Sequence, residues 1–65
     1  MSKYSDLMNK MNKHGYDIAE LECMVMSDSE KTPTNCTIKM CEALEAGNYG
    51  AVDFWKQKHD QLIAG

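Results

Sequence analysis

The chain has 65 residues and a formal charge of −3, from seven lysines and ten acidic residues, and it contains no arginine. A chain of this length forms one small domain, which is marginally stable unless disulfides, a metal or a second subunit enlarge its core. The negative charge is too small to mimic DNA and has the wrong sign for non-specific DNA binding, and without arginine the usual bidentate contact to guanine is missing. Four amphipathic segments without strand alternation predict an all-α fold of three to four short helices.

The first predicted helix spans residues 2–13. Its apolar residues fall on one face at spacings of three and four: Tyr4, Leu7, Met8 and Met11. Gly15 is predicted to end this helix as a left-handed C-cap. Asp17 is predicted to start a second helix, because Glu20 follows it at the capping-box spacing. The main apolar stripe of this second helix is Ile18, Leu21 and Val25.

The polar segment Ser27–Lys31 is the predicted linker, and a third helix is expected to follow it. Thr32 is a good N-cap, and Pro33 is tolerated at the first helical position because no amide is needed there. Three residues form the predicted buried stripe of this helix, with a fourth at its edge: Cys36, Met40, Leu44 and Cys41. Gly47 is expected to end the helix.

Asn48 is predicted to cap a fourth helix over Tyr49–Ala64. At 100° per residue, one arc of this helix collects six residues: Tyr49, Val52, Trp55, His59, Leu62 and Ile63. Phe54 points roughly opposite to that arc. Across the whole chain, the predicted core residues are Trp55, Leu44, Leu62, Val52, Leu21 and Leu7.

The run from Ala43 to Tyr49, followed by Val52 and Trp55, resembles the hairpin turn of a tetratricopeptide repeat. In that family a helix end of small residues, a glycine and an aromatic residue lead into the second helix of the hairpin. The resemblance covers about a fifth of the chain and implies an antiparallel helical hairpin in its C-terminal half. It implies no function.

Several residues off the predicted stripes indicate more apolar surface than one small core covers. This surplus predicts a homodimer or a protein partner, with these interface residues: Phe54, Lys58, Gln61, Ile38, Cys23 and Met26. The odd number of cysteines favours reduced thiols, and no apolar run approaches the ~20 residues of a membrane span. The prediction is therefore a cytoplasmic protein without membrane attachment, in the host cytoplasm if it is phage-encoded.

The sequence predicts no catalytic, metal or cofactor site. The closest cysteine pair, Cys36 and Cys41, is displaced by roughly 140° around a helix, and His14 and His59 are isolated, so zinc is not expected. Cys36 is the best candidate nucleophile, because the helix N-terminus favours its thiolate and His59 lies on the following helix. A helical unit this small offers little concave volume for a substrate.

The leading hypothesis is a small non-enzymatic accessory protein of the phage or plasmid type, which modulates a larger partner protein through an apolar helical face. The alternative is a small acidic regulator of the helix-turn-helix type. Residues 16–21 are similar to the opening of a helix that often begins such motifs.

Overall fold

Three α-helices make up the fold in the computed structural model, which describes residues 3–65 apart from the side chain of Tyr4. Helix α1 spans Lys3–Val25, α2 spans Pro33–Glu45 and α3 spans Tyr49–Ala64, and a short 3₁₀ turn at Asp28–Glu30 precedes α2. No strand occurs in the described range, which confirms the all-α prediction. The predicted position of the Tyr4 side chain on the first apolar stripe lies outside the described part of the chain.

The predicted boundaries of α2 and α3 are confirmed by their capping contacts. The Thr32 side chain accepts a hydrogen bond from the Asn35 amide at 3.2 Å, and Pro33 occupies the first helical position. Gly47 follows α2 with a φ of 74°, a conformation that glycine adopts without strain. The Asn48 side chain then accepts a hydrogen bond from the Ala51 amide at 3.3 Å and caps α3.

Helix α1 runs unbroken through Gly15, so the predicted C-cap at Gly15 and the predicted helix start at Asp17 are both wrong. Gly15 is buried, and a methyl group built on it would overlap the side chain of Asn48. This glycine therefore allows a close approach between α1 and the start of α3. Its role depends on a residue more than thirty positions away, which a local capping rule does not consider.

Helix α3 is the central element, because it packs against both α1 and α2. A methyl group built on Gly50 would overlap the carbonyl oxygen of Asn12 and lie 2.9 Å from the Tyr16 amide nitrogen. The backbones of α1 and α3 thus meet directly at Gly50. Small residues dominate the buried core around this contact: Ala19, Cys23, Cys36, Ala43, Ala51, Phe54 and Trp55.

The predicted core is only partly correct. Trp55 is buried, and Val52 and Leu62 are partly buried against the core. The predictions of burial are wrong for three leucines, which are all more than half exposed: Leu7, Leu21 and Leu44. The physical reason is that the helices approach through glycine, alanine and cysteine, so the faces with the largest side chains point outward.

Replacing the capping residue Asn48 by alanine should lower the free energy of unfolding by about 1 kcal/mol, because the Ala51 amide loses its acceptor. Urea titration followed by far-UV circular dichroism measures this loss. Asn48→Asp is the matched control, since a carboxylate also caps a helix. If Asn48→Asp were as destabilised as Asn48→Ala, the capping role would be refuted.

Candidate interaction surface

Helix α1 has a buried face of small residues and a separate outer face of large apolar ones. The buried face contains Gly15, Ala19 and Cys23, and Tyr16 beside them is partly buried. The outer face carries a row of six side chains, which we call the α1 outer row: Leu7, Met11, His14, Ile18, Leu21 and Val25. At 100° per residue, the centre of this row lies roughly 130° around the helix from the buried face.

The members of the α1 outer row follow one another at spacings of four, three, four, three and four residues. That alternation is the heptad pattern of helices that pair side by side. All six side chains are exposed, and the apolar ones range from 45% for Ile18 to 85% for Val25. The row extends over about 27 Å at 1.5 Å per residue. It is therefore a long, continuous apolar strip on the surface of the single chain.

Concave surface borders the α1 outer row on the side of α2. Met11, His14 and Ile18 line a groove of about 410 Å³ together with the turn Ala46–Asn48. Ile18 also lines a smaller groove of about 200 Å³ between α1 and α2, whose rim includes Lys39. A helix laid along the row would thus find a partly formed channel on one side.

Charged residues flank the α1 outer row on both sides. Lys10 and Asp17 occupy equivalent heptad positions and both are exposed, and Lys10 also lines the groove of about 410 Å³. On the other side, the Lys39 ammonium lies 2.9 Å from the Glu22 carboxylate, and this hydrogen bond raises the pKa of Lys39. Glu22 therefore already has a cationic partner within the chain, whereas Lys10 and Asp17 are separated by two turns of the helix.

Phe54, the predicted anchor of a partner interface, is instead part of the core of the single chain. It is 9% exposed, and its ring makes edge-to-face contacts with Tyr16 at a centroid distance of 5.3 Å and with Trp55 at 5.0 Å. The expectation that Phe54 lies outside the core of the single chain is wrong because α3 buries two faces, one against α1 and one against α2.

The structure brings four of the six predicted interface residues together. Cys23, Phe54, Lys58 and Gln61 line one groove of about 310 Å³ between α1 and α3, although Cys23 and Phe54 are themselves buried. Two further predicted residues do not line this groove: Met26, which packs partly buried against the core, and Ile38, which is half exposed on α2.

The cysteines differ sharply in exposure, since Cys23 and Cys36 are buried and Cys41 is exposed. Burial raises the pKa of the Cys36 thiol, the neighbouring Cys23 raises it further, and Lys58 offsets part of this effect. The expectation that the helix N-terminus favours a Cys36 thiolate is therefore wrong, because desolvation dominates. The other residue of the candidate pair, His59, has its Nδ1 atom 3.4 Å from an Asp60 carboxylate oxygen.

Thiol titration with a chromogenic disulfide reagent should show one fast and two slow cysteines in the native protein. The fast thiol is Cys41, and Cys41→Ser should remove the fast phase entirely. Cys23 and Cys36 should react only as the protein opens, and in denaturant all three should react alike. A second fast thiol in the native protein would contradict the burial of Cys23 and Cys36.

Within residues 3–65, no group of three histidine, cysteine, aspartate or glutamate side chains is arranged to hold a metal ion. None of the helices in the described range is long and apolar enough to cross a membrane. Residues 16–21, on which the helix-turn-helix alternative depends, lie inside α1 and not at the start of a helix.

No protein-family model, curated protein or solved structure matches this chain. Function is therefore inferred from surface geometry and chemistry.

The sequence predicts two inward-facing stripes in place of the α1 outer row, because Gly15 is expected to end one helix and Asp17 to start another. Leu7 and Met11 belonged to the first predicted stripe, and Ile18, Leu21 and Val25 made up the second. Read through Gly15 as one helix, the same residues follow a single heptad pattern. This heptad pattern is the sequence signal that identifies the α1 outer row.

Proposed function

We propose that this is a non-enzymatic interaction protein, which modulates a larger partner protein through the apolar outer face of α1. The observation that carries the proposal is the α1 outer row, with five large apolar side chains exposed at heptad spacing. A strip of this kind is costly to leave in water and suits helix–helix recognition. We place the protein in the cytoplasm as a small accessory protein of the phage or plasmid type.

The energetics favour a partner that brings its own apolar helical face. Burying a large apolar side chain completely stabilises by roughly 1.5–3 kcal/mol, so a half-exposed one still has about 1 kcal/mol to gain. The five apolar members of the row thus offer about 5 kcal/mol, against an association cost of about 4–15 kcal/mol. A matching row on the partner doubles the gain, whereas a polar partner surface adds little.

The face used for binding differs from the one predicted from the sequence. Phe54 contributes to the core of the single chain, and we assign the partner surface to α1 and its bordering grooves. We also propose that the chain forms a homodimer and that α2 and α3 form an antiparallel hairpin, with the dimer enlarging the small core.

Site-specific photo-crosslinking in the native host or in cell extract tests this function. A photoreactive phenylalanine analogue replaces Leu21 in the row, and in a matched variant it replaces Ile63 on α3. These two side chains are almost equally exposed in the single chain, at 61% and 64%. Defined adducts at position 21 with a protein other than this chain, absent at position 63, would support the proposal. The same adducts at both positions, or none at position 21, would refute it.

The DNA-binding alternative makes a different and inexpensive prediction. A helix-turn-helix regulator would retard DNA in a gel at low salt, and its affinity would fall steeply as salt is raised. An interaction protein with this charge would cause no such shift.

A further inference from the structure

We infer that the occupant of the α1 outer row is a second copy of this chain, whose α1 lies antiparallel, so that Lys10 of each copy faces Asp17 of the other. This inference rests on the proposed function, whose homodimer it assigns to the α1 outer row, so that the second copy and the larger partner compete for the same face. It is carried by the spacing of the row and by the charges that flank it.

In an antiparallel pair, the first core position of a heptad (position a) on one helix packs against the second core position (position d) on the other helix. Met11 and Ile18 occupy a positions, and Leu7 and His14 occupy d positions. With the two-fold axis between residues 12 and 13, Leu7 packs on Ile18 of the second copy and Met11 packs on His14 of the second copy. Leu21 then reaches the first turn of the other α1. The single polar side chain, His14, meets a flexible thioether, which adapts to an irregular neighbour.

The flanking charges match this register. In an antiparallel pair, the positions that precede the first core residue of each heptad face one another across the seam. Lys10 and Asp17 occupy these positions, and their numbers add up to 27, two more than the 25 of the core pairs, which is the offset of facing residues on this side of an antiparallel seam. By symmetry the ion pair forms twice.

The competing arrangements bring like charges together. In a parallel pair, Asp17 approaches Glu22 of the second copy, which is already bound to its own Lys39 at 2.9 Å. Shifting the antiparallel pair by one heptad places Asp17 against Asp17 of the second copy and moves Lys10 opposite Met24. Charge complementarity thus selects one orientation and one register.

A charge-swap series measured by sedimentation equilibrium tests this arrangement. Lys10→Glu and Asp17→Lys should each weaken the dimer about ten-fold at low salt, because each turns two attractive pairs into repulsive ones. The double variant should restore the affinity, and high salt should reduce all of these differences. Far-UV circular dichroism of each variant confirms that α1 is intact, since both positions are exposed.

Each other outcome overturns the inference. A parallel dimer would be strengthened by Asp17→Lys alone, which would then face Glu22. The shifted register would be insensitive to Lys10→Glu, and a protein that stays monomeric at high micromolar concentration has no self-pairing at all. The proposed function fails separately, when position 21 yields no adduct with any protein other than this chain. A monomer that still gives one defined heterologous adduct at position 21 would keep the function and remove the self-pairing.

Discussion

Gly50→Ala is expected to leave most of the protein unfolded at room temperature. In an ordinary helical position this substitution stabilises by about 0.5–1 kcal/mol, because alanine loses less backbone entropy than glycine. At Gly50 the added methyl group would overlap the carbonyl oxygen of Asn12 and lie 2.6 Å from the carbonyl carbon. These are backbone atoms inside α1, so neither helix can yield without separating from the other.

We expect a loss of about 3 kcal/mol or more, which is comparable to the whole stability of a domain of this size. Thermal unfolding followed by Trp55 fluorescence measures the loss, since Trp55 is buried in the core. Gly47→Ala is the control: it adds a methyl group in open space and costs only the strain of a φ of 74°, about 1–2 kcal/mol. Unchanged or raised stability of Gly50→Ala would contradict the close packing of α1 on α3.

Leu21→Glu is expected to abolish association through α1 while leaving the single chain folded. A charge at this point of the α1 outer row would have to be desolvated without a partner, and by two-fold symmetry this occurs twice in a dimer. The affinity should fall by at least thirty-fold, which corresponds to about 2 kcal/mol. Leu21 is 61% exposed, so the isolated fold loses little by the change.

Ile63→Glu serves as the matched control, because it places the same charge at an equally exposed apolar position of α3. Sedimentation equilibrium should show a monomer for Leu21→Glu and wild-type association for Ile63→Glu, with equal helix content in both. Equal association of the two variants would show that the row is not the binding face. Unfolding of Leu21→Glu would show that Leu21 belongs to the core.

Local chemistry explains which parts of the fold could be predicted from the sequence. The starts of α2 and α3 depend on side chains that cap amides three residues on, and Thr32, Pro33 and Asn48 therefore marked them correctly. Helix α1 continues through Gly15, and Gly15 lies close to the side chain of Asn48, a residue far away in the chain. Glycine after a lysine- and histidine-rich turn has the sequence signature of a helix end, and only tertiary packing reverses that reading.

The candidate surface was harder to predict, because the usual assumption assigns the largest apolar side chains to the core. Here the helices meet through Gly50 and Ala19, and this close approach turns Leu21 and its neighbours outward. A different assumption, that a helix buries one arc only, failed at Phe54, which lies off the predicted arc of α3 and is buried. A helix that packs on two sides has no single buried arc, and sequence periodicity alone does not reveal how many neighbours a helix has.

Distances between spin labels in the associated protein test the central claim, that α1 pairs with its own copy through the outer row. Labels are attached at Lys13→Cys or Ser27→Cys, both exposed positions, in a Cys41→Ser background that leaves only buried native thiols. Antiparallel pairing about residues 12 and 13 predicts a short distance between the two labels at position 13. It predicts a separation of roughly 40 Å at position 27, at 1.5 Å per residue. Short distances at both positions, or no dipolar coupling at position 13, would contradict the account.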